Sequence, residues 1–157
     1  MMSATRTAIE PLVKTIEVDT DAATAFAFFT DRIDSWWPAE THSMAADRGE
    51  TRPDRIVFEL KPGGRLYERG ADGRECDWGR VRVYEPGKRV VFSWHLQRPA
   101  DEATEVEVRF EALSDVTTRV VLVHRGWENW ANGAEMRLRY DGGWDLVLAP
   151  FTRAIAA

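Results

Sequence analysis

Apolar and polar residues alternate in a series of short segments that runs through most of the chain. A period of two is typical of β-strands with one buried face, and the intervening turns contain glycine and proline. The pattern predicts strands at residues 12–18, 56–61, 65–69, 74–85, 89–97, 105–112 and 118–125. Short turns join most of them, which indicates hairpins and an antiparallel sheet.

Between the first two predicted strands, the pattern changes to helical spacing. Residues 22–30 carry an apolar stripe and follow the capping side chains at 19–21, so an amphipathic first helix is predicted there. A further short turn is predicted at 31–37. The polar segment 39–55 has no sustained period, and we interpret it as a long loop.

A second helical pattern closes the chain. It starts at residue 134, and its apolar residues share one face. These residues are Trp144, Val147, Leu148, Phe151 and Ile155. Gly142 and Gly143 interrupt the pattern, and Pro150 predicts a kink or a break because proline removes one backbone hydrogen bond.

This order of elements indicates an α+β fold in a single domain spanning residues 1–157, with residues 1–11 as a loose lead-in. About seven antiparallel strands twist enough to curve around a helix that lies across their concave face. One helix is too narrow to fill a deeply bent sheet. We therefore expect an internal cavity between the sheet and the C-terminal helix.

Five short motifs occur in one order between about Val13 and Phe151. They are Pro62-Gly63-Gly64-Arg65-Leu66-Tyr67-Glu68, Trp78-Gly79-Arg80-Val81, Val91-Phe92-Ser93-Trp94, the strand from Thr118-Arg119 to His124-Arg125-Gly126, and Gly142-Gly143-Trp144. In this order they resemble the START-like (SRPBCC) superfamily. Within it, the chain is most similar to the bacterial branch that resembles the C-terminal domain of the Hsp90 ATPase activator.

The resemblance implies a helix-grip fold, in which a curved antiparallel sheet grips a long C-terminal helix. It also implies a cavity for an apolar or amphipathic small molecule. It does not imply one chemistry, because the relatives include lipid carriers, plant hormone receptors, aromatic polyketide cyclases and a chaperone co-activator.

Charge and composition narrow the range of partners. The net charge of −5 disfavours binding to nucleic acid or to an anionic membrane. Cys76 is the only cysteine, so no internal disulfide forms and we expect a cytoplasmic protein. The sequence contains no metal-ligand spacing, phosphate loop, dinucleotide fingerprint or nucleophile elbow. We therefore expect no metal and no cofactor, and a homodimer remains open.

The chain contains seven tryptophans and seven phenylalanines, which is a high aromatic content for 157 residues. We expect several of them to line the cavity together with two polar anchors. The predicted walls are Trp37, Phe92, Trp94, Phe110, Trp144 and Leu148. The predicted polar anchors are Glu68 and His124. Val108 and Leu122 share the inner face with them.

Each polar candidate also has a structural interpretation. His124 is either a satisfied core histidine or a group that bonds a ligand or transfers a proton near neutral pH. Glu68 shares a face with Leu66, and if it is buried it needs a partner such as Arg80. That pair is either structural or a ligand anchor. His95 is predicted to face outward.

Two further groups near the cavity are ambiguous in the same way. The Trp36-Trp37-Pro38 step is either a hydrophobic plug or a wall of the cavity entrance. Arg137 and Arg139, beside Tyr140, either form a solvated helix face or bind an anionic group at the cavity mouth.

Three functions are consistent with these features. The leading one is a binding module, rather than an enzyme, that takes an apolar or aromatic small molecule. The second is a cyclase- or hydrolase-type enzyme with Glu68 or His124 as general base, which requires both groups to converge on one void. The third is a chaperone-interacting co-activator domain, which predicts an exposed apolar patch outside the cavity.

Overall fold

The computed structural model describes residues 7–50, 52–96 and 98–157. These residues form seven strands: β1 Leu12–Val18, β2 Arg55–Phe58, β3 Arg65–Arg69, β4 Glu75–Glu85, β5 Arg89–Trp94, β6 Thr104–Ala112 and β7 Thr118–Arg125. They form one sheet in the order β1-β7-β6-β5-β4-β3-β2, and every neighbouring pair is antiparallel. The predicted α+β helix-grip architecture, with a curved antiparallel sheet, is confirmed. Of the predicted lead-in, residues 7–11 lack regular structure and residues 1–6 lie outside the described residues.

The alternation predicted for the central strands sets the inner face of the sheet. Phe92 pairs with Val106, and Val106 pairs with His124, so these residues form one row across β5, β6 and β7. Phe110 lies two rows further along the same face, opposite Val120. All five side chains are buried, which places the core on the concave side of the sheet.

A glycine allows two strands to approach closely where the sheet bends. A Cβ added to Gly79 in β4 would lie 1.6 Å from the carbonyl oxygen of Ser93 in β5, so no larger residue fits there. The register between these strands also shifts between Val81 and Val83. Irregularities of this kind increase the local twist and bend a sheet.

In its described residues, the connection between β1 and β2 contains three helices: α1 Ala22–Thr30, α2 Ile33–Trp36 and α3 Met44–Asp47. Asp21 caps α1, because its carboxylate accepts the backbone N–H of Thr24 at 3.1 Å. The interpretation of 39–55 as a long loop was wrong in part, since this segment contains α3 and the first residue of β2. Ser43 caps α3, which is too short to produce a periodic signal in the sequence.

The C-terminal helix, α4 Gly133–Ala156, is assigned as one helix of 24 residues. The predicted interruption at Gly142 and Gly143 does not occur, and the helix continues beyond Pro150. Phe151 is fully buried against Phe29, and this packing offsets the hydrogen bond lost at Pro150. No helix among the described residues is long and apolar enough to cross a membrane.

α4 lies across the sheet and packs against β1, α1 and α2. Near its middle, Lys14 of β1 forms ion pairs with Asp141 and Asp145, and the hydrogen bond that Lys14 donates to Asp141 raises the pKa of Lys14. Its C-terminal half closes one end of the interior, where Phe151 joins a cluster of aromatic side chains from α1, α2 and β6. These rings are Phe26, Phe29, Trp36, Phe110 and Phe151. That end is solidly packed, whereas open space lies beside the N-terminal half of α4.

β5 is shorter than predicted. It ends at Trp94, and Gln97, its predicted last residue, lies outside the described residues. The backbone N–H groups of His95 and Leu96 both donate to the carbonyl of Trp78. Leu96 has a φ of +46°, a left-handed conformation that a β-strand cannot accommodate. The chain therefore turns away from the sheet just beyond Trp94.

Candidate functional site

A cavity of about 420 Å³ lies between the N-terminal half of α4, strands β4 and β5, and residues 37–47. Five large aromatic side chains line it, and we call them the aromatic wall. They are Trp37, Trp78, Trp94, Tyr140 and Trp144. The volume falls in the range typical of small-molecule sites, and such sites are mostly apolar.

The rings of the aromatic wall support one another. The ring centroids of Trp37 and Trp78 are 5.1 Å apart, and those of Trp78 and Trp94 are 5.7 Å apart. Trp144 meets Trp37 edge to face at 6.0 Å and lies 5.9 Å from Trp94. These separations are typical of favourable aromatic pairs, so the wall is held in place by its own packing.

Each tryptophan of the aromatic wall donates its indole N–H to another part of the protein. Trp37 donates to the carbonyl of His42 at 2.6 Å, and Trp78 donates to Glu68 Oε1 at 2.8 Å. Trp94 donates to the hydroxyl oxygen of Tyr140 at 2.8 Å, and Trp144 donates to His124 Nδ1 at 3.1 Å. Their hydrogen-bonding groups are thus satisfied, and what these four side chains offer a guest is carbon surface.

Residues 41–47, which include α3, form a cover over one side of the cavity. The lining residues of the cover are Thr41, His42, Ser43, Met44 and Asp47. Within the cover, Ser43 Oγ donates to the carbonyl of Ala39 at 2.7 Å and accepts the N–H of Ala46 at 3.0 Å. The cover is therefore an ordered part of the site.

Glu68 connects the cover to the sheet. Its carboxylate is buried and accepts the backbone N–H groups of Met44 at 2.5 Å and Ala45 at 3.0 Å, in addition to the indole N–H of Trp78. The prediction of Arg80 as the partner of Glu68 was wrong, because the Arg80 side chain is half exposed and lies near Asp77. Three N–H donors compensate the desolvation of the carboxylate instead. Glu68 thus positions both the cover and Trp78, and it does not itself line the cavity.

His124 has a comparable position behind Trp144. Its side chain is fully buried, with Nε2 2.7 Å from Thr104 Oγ1 and Nδ1 accepting from Trp144. Thr104 in turn donates to the carbonyl of Trp94 at 3.1 Å, so we assign the proton of the imidazole to Nε2. Burial lowers the pKa of His124 to about 3. The ring is neutral, its two nitrogens are both occupied, and it does not line the cavity.

The structure brings three of the eight predicted ligand-binding residues together at the cavity: Trp37, Trp94 and Trp144. The other five lie outside its lining. Two of these five are the polar residues Glu68 and His124, and the other three, Phe92, Phe110 and Leu148, belong to the packed core. Trp36 is part of this core as well, so the Trp36-Trp37 step provides one plug residue and one wall residue.

His95 does not face outward as predicted, since only 9% of its surface is exposed. The prediction extended the alternation of β5 past Trp94, but the strand ends there. Burial lowers the pKa of His95, and its Nδ1 has no hydrogen-bond partner among the described residues. His95 is not a lining residue of the cavity.

The two arginines considered for the cavity mouth have different surroundings. Arg137 donates to the backbone carbonyls of Glu10 and Pro11, at 2.7 and 3.0 Å, and so fixes the segment before β1. Arg139 lines the mouth of the cavity, where it pairs with Glu135 at 3.2 Å. Both partners of this pair are mostly exposed, so the pair contributes little stability.

Sequence reasoning missed several lining residues, among them Trp78, Met136, Tyr140 and Gly143. On α4 a signal was present, because residues 136, 140, 143, 144 and 147 recur at helical spacing and continue the predicted apolar stripe toward the start of the helix. Trp78 had no such signal. Its place in the wall depends on the position of the cover and on the bend at Gly79.

A family profile described as activator of Hsp90 ATPase homolog 1-like protein matches residues 19–156. The match spans nearly the whole chain. The chain belongs to this family. The resemblance drawn from the sequence motifs is therefore confirmed. No curated protein matches the sequence significantly.

Several solved structures are similar to this family member. An anthrahydroquino-gamma-pyrone synthase, Txn09, solved in complex with SUM, is 28% identical, with a TM-score of 0.64 and coverage of 93% of this chain and 97% of that one. The self-sacrificing resistance protein CalC from Micromonospora echinospora is 24% identical, with a TM-score of 0.68 and coverage of 92% and 93%. The Aha1 dimer from Colwellia psychrerythraea is 17% identical, with a TM-score of 0.67 and coverage of 94% and 96%. The last two similarities show a shared fold, and the family and its neighbours support a ligand-binding module in general.

Proposed function

We propose that this protein binds an apolar or aromatic small molecule in the cavity between the aromatic wall and the cover. The observation that carries the proposal is the chemistry of the wall. Four tryptophans surround about 420 Å³ of space, and all four indole N–H groups are bonded to the protein. A surface of this kind attracts a planar apolar guest through burial and ring contact.

The relative Txn09 supports the proposal. Its name refers to a fused aromatic product, and it was solved with a bound compound. At 28% identity over nearly the full length of both chains, its site is a reasonable guide to the class of guest. We therefore favour a planar, fused-ring ligand over a flexible lipid chain.

The arrangement of Glu68 and His124 does not favour the general-base alternative. Neither residue lines the cavity, and the oxygens or nitrogens of both are occupied by hydrogen bonds from or to the protein. A general base must reach the proton that it removes within hydrogen-bond distance. Their arrangement instead supports a positioning role, with Glu68 behind Trp78 and His124 behind Trp144.

The co-activator alternative stays a prediction. Among the described residues, the exposed large apolar side chains are Val13, Leu113, Val116, Leu138 and Leu146. They are distributed over β1, the turn between β6 and β7, and α4. A pull-down with purified Hsp90 tests this alternative independently of the cavity, and absence of saturable binding would reject it.

Titration with 9-fluorenone, a planar tricyclic ketone of 14 heavy atoms, tests the proposal directly. At about 0.4–0.5 kcal/mol per heavy atom, between the limits for very small and drug-sized ligands, the dissociation constant should be roughly 10–100 µM. We expect saturable quenching of tryptophan fluorescence and a stoichiometry of one. Quenching that never saturates, and that matches the quenching of N-acetyltryptophanamide, would contradict the proposal. Native mass spectrometry of protein purified from its host then tests for a bound natural ligand.

A further inference from the structure

Tyr140 differs from the other members of the aromatic wall in its hydrogen bonding. Its hydroxyl oxygen accepts the indole N–H of Trp94 at 2.8 Å. A phenol also has one hydrogen to donate. No acceptor for that hydrogen is present among the residues that the structure describes, although Tyr140 lines the cavity and is mostly buried.

The hydroxyl is also the only donor of the aromatic wall that remains uncommitted within the described part of the chain. The four indole N–H groups are used by His42, Glu68, Tyr140 itself and His124. An unused donor in an apolar enclosure lowers affinity for a guest that leaves it unpaired. It favours a guest that brings an acceptor to it.

We propose that Tyr140 is a specificity-determining residue that donates a hydrogen bond to a carbonyl oxygen of the ligand. The ligand class is thereby narrowed from planar aromatic compounds to planar aromatic ketones and quinones. This inference rests on the proposed function, because it assigns a polar feature to the guest of the same cavity.

Two properties of the site support a ketone oxygen as the acceptor. The indole N–H of Trp94 already points at the hydroxyl oxygen, so it polarises the O–H bond and strengthens its donation. Burial raises the pKa of Tyr140 to about 12, so the hydroxyl keeps its hydrogen throughout the physiological pH range. A neutral acceptor also avoids the cost of placing a charge among four tryptophans.

The test compares 9-fluorenone with fluorene, which has the same ring system and a CH2 group in place of the carbonyl. Tyr140→Phe alone is ambiguous, because it frees the indole N–H of Trp94 to bind the ketone in place of the lost hydroxyl. We therefore use two variants, Trp94→Phe and Trp94→Phe/Tyr140→Phe, which differ by a single hydroxyl group. Equilibrium dialysis gives the affinity of each variant for both compounds.

We expect the preference for fluorenone over fluorene to be roughly fivefold larger in Trp94→Phe than in the double variant, which corresponds to one hydrogen bond of about 1 kcal/mol. Equal preferences in the two variants would overturn the inference and leave the proposed function intact. Failure of both compounds to bind the parent protein would instead overturn the proposed function and this inference with it.

A second measurement needs no variant. A hydrogen bond to a ketone lowers the stretching frequency of its C=O bond. The infrared band of fluorenone bound to the parent protein should therefore lie at lower wavenumber than the band of fluorenone in hexane. A bound band at the hexane position would show an unbonded carbonyl and would contradict the inference even if a variant failed to fold.

Discussion

A matched pair of glycines on α4 allows the cavity to be blocked without loss of stability. Gly142 and Gly143 are adjacent in the helix, and a Cβ added to either would meet no atom within 4 Å. Only Gly143 lines the cavity. Gly143→Leu places four carbons against the aromatic wall, whereas Gly142→Leu places the same four carbons outside the lining.

Both substitutions replace a helical glycine with a good helix former, which should raise the free energy of unfolding by about 0.5–1 kcal/mol. At about 2–4 °C per kcal/mol for a chain of this size, the melting temperature should rise by roughly 1–4 °C in each variant. The two variants should diverge only in binding. Displacing a guest from two ring contacts costs about 1–3 kcal/mol, which is a five- to 150-fold loss of affinity.

The assay is the fluorenone titration, with thermal unfolding followed by circular dichroism on the same samples. We expect Gly142→Leu to bind as the parent protein does and Gly143→Leu to bind at least fivefold more weakly, while both melt at or above the parent temperature. Equal affinity in the two variants would refute the placement of the guest. A loss of binding in both would show that the effect does not come from the cavity.

Three further predictions concern the residues that support the site. Glu68→Gln replaces one accepting oxygen with a donor that faces a backbone N–H, so it should lower the free energy of unfolding in urea by about 1–3 kcal/mol. The exposed control Glu40→Gln should change this free energy by less than about 0.5 kcal/mol. A Glu68→Gln protein as stable as the control would contradict the bridging role. The pKa of His124 is lowered to about 3 in the folded protein, whereas a histidine in the unfolded chain has a pKa of about 6.5. Below pH 6.5 the unfolded chain therefore binds more protons than the folded protein. As the pH falls from 6.5 to 4.5, the free energy of unfolding should fall by up to about 1.4 kcal/mol per pH unit. His124→Gln should flatten this dependence, and an unchanged slope would exclude His124 as its source. Phe151→Ala should lower the free energy of unfolding by about 3–5 kcal/mol, because the Phe151 side chain is fully buried. Leu146→Ala should lower it by less than about 0.5 kcal/mol, because the Leu146 side chain is exposed. Similar losses in the two variants would mean that α4 beyond Pro150 does not anchor the fold.

Most of the fold could be predicted because period-two alternation reports directly on a sheet with one buried face. The bounds of β1 and β7 and the buried rows through Phe92 and Phe110 agree with that pattern. The errors occurred where local rules compete with tertiary packing. α4 passes Pro150 because Phe151 is held by the rings around it, and no local pattern contains that information.

The site was predictable only in part, for a related reason. Strand parity showed which side chains face inward, but it could not show which end of the interior is filled. Phe110 and Trp94 both face inward, yet α1 packs over Phe110 and leaves Trp94 beside open space. The cover depends on contacts between Glu68 and backbone N–H groups more than 20 residues away, which spacing alone does not reveal.

In the proposed complex, the guest sits among the four tryptophans of the aromatic wall. The seven indole N–H resonances in a 1H–15N correlation spectrum report on it individually, since the chain has seven tryptophans. On addition of 9-fluorenone, we expect shifts for the four wall tryptophans and little change for Trp36, Trp127 and Trp130, which lie outside the lining. Shifts confined to those three, or a spectrum that does not change at saturating ligand, would contradict it.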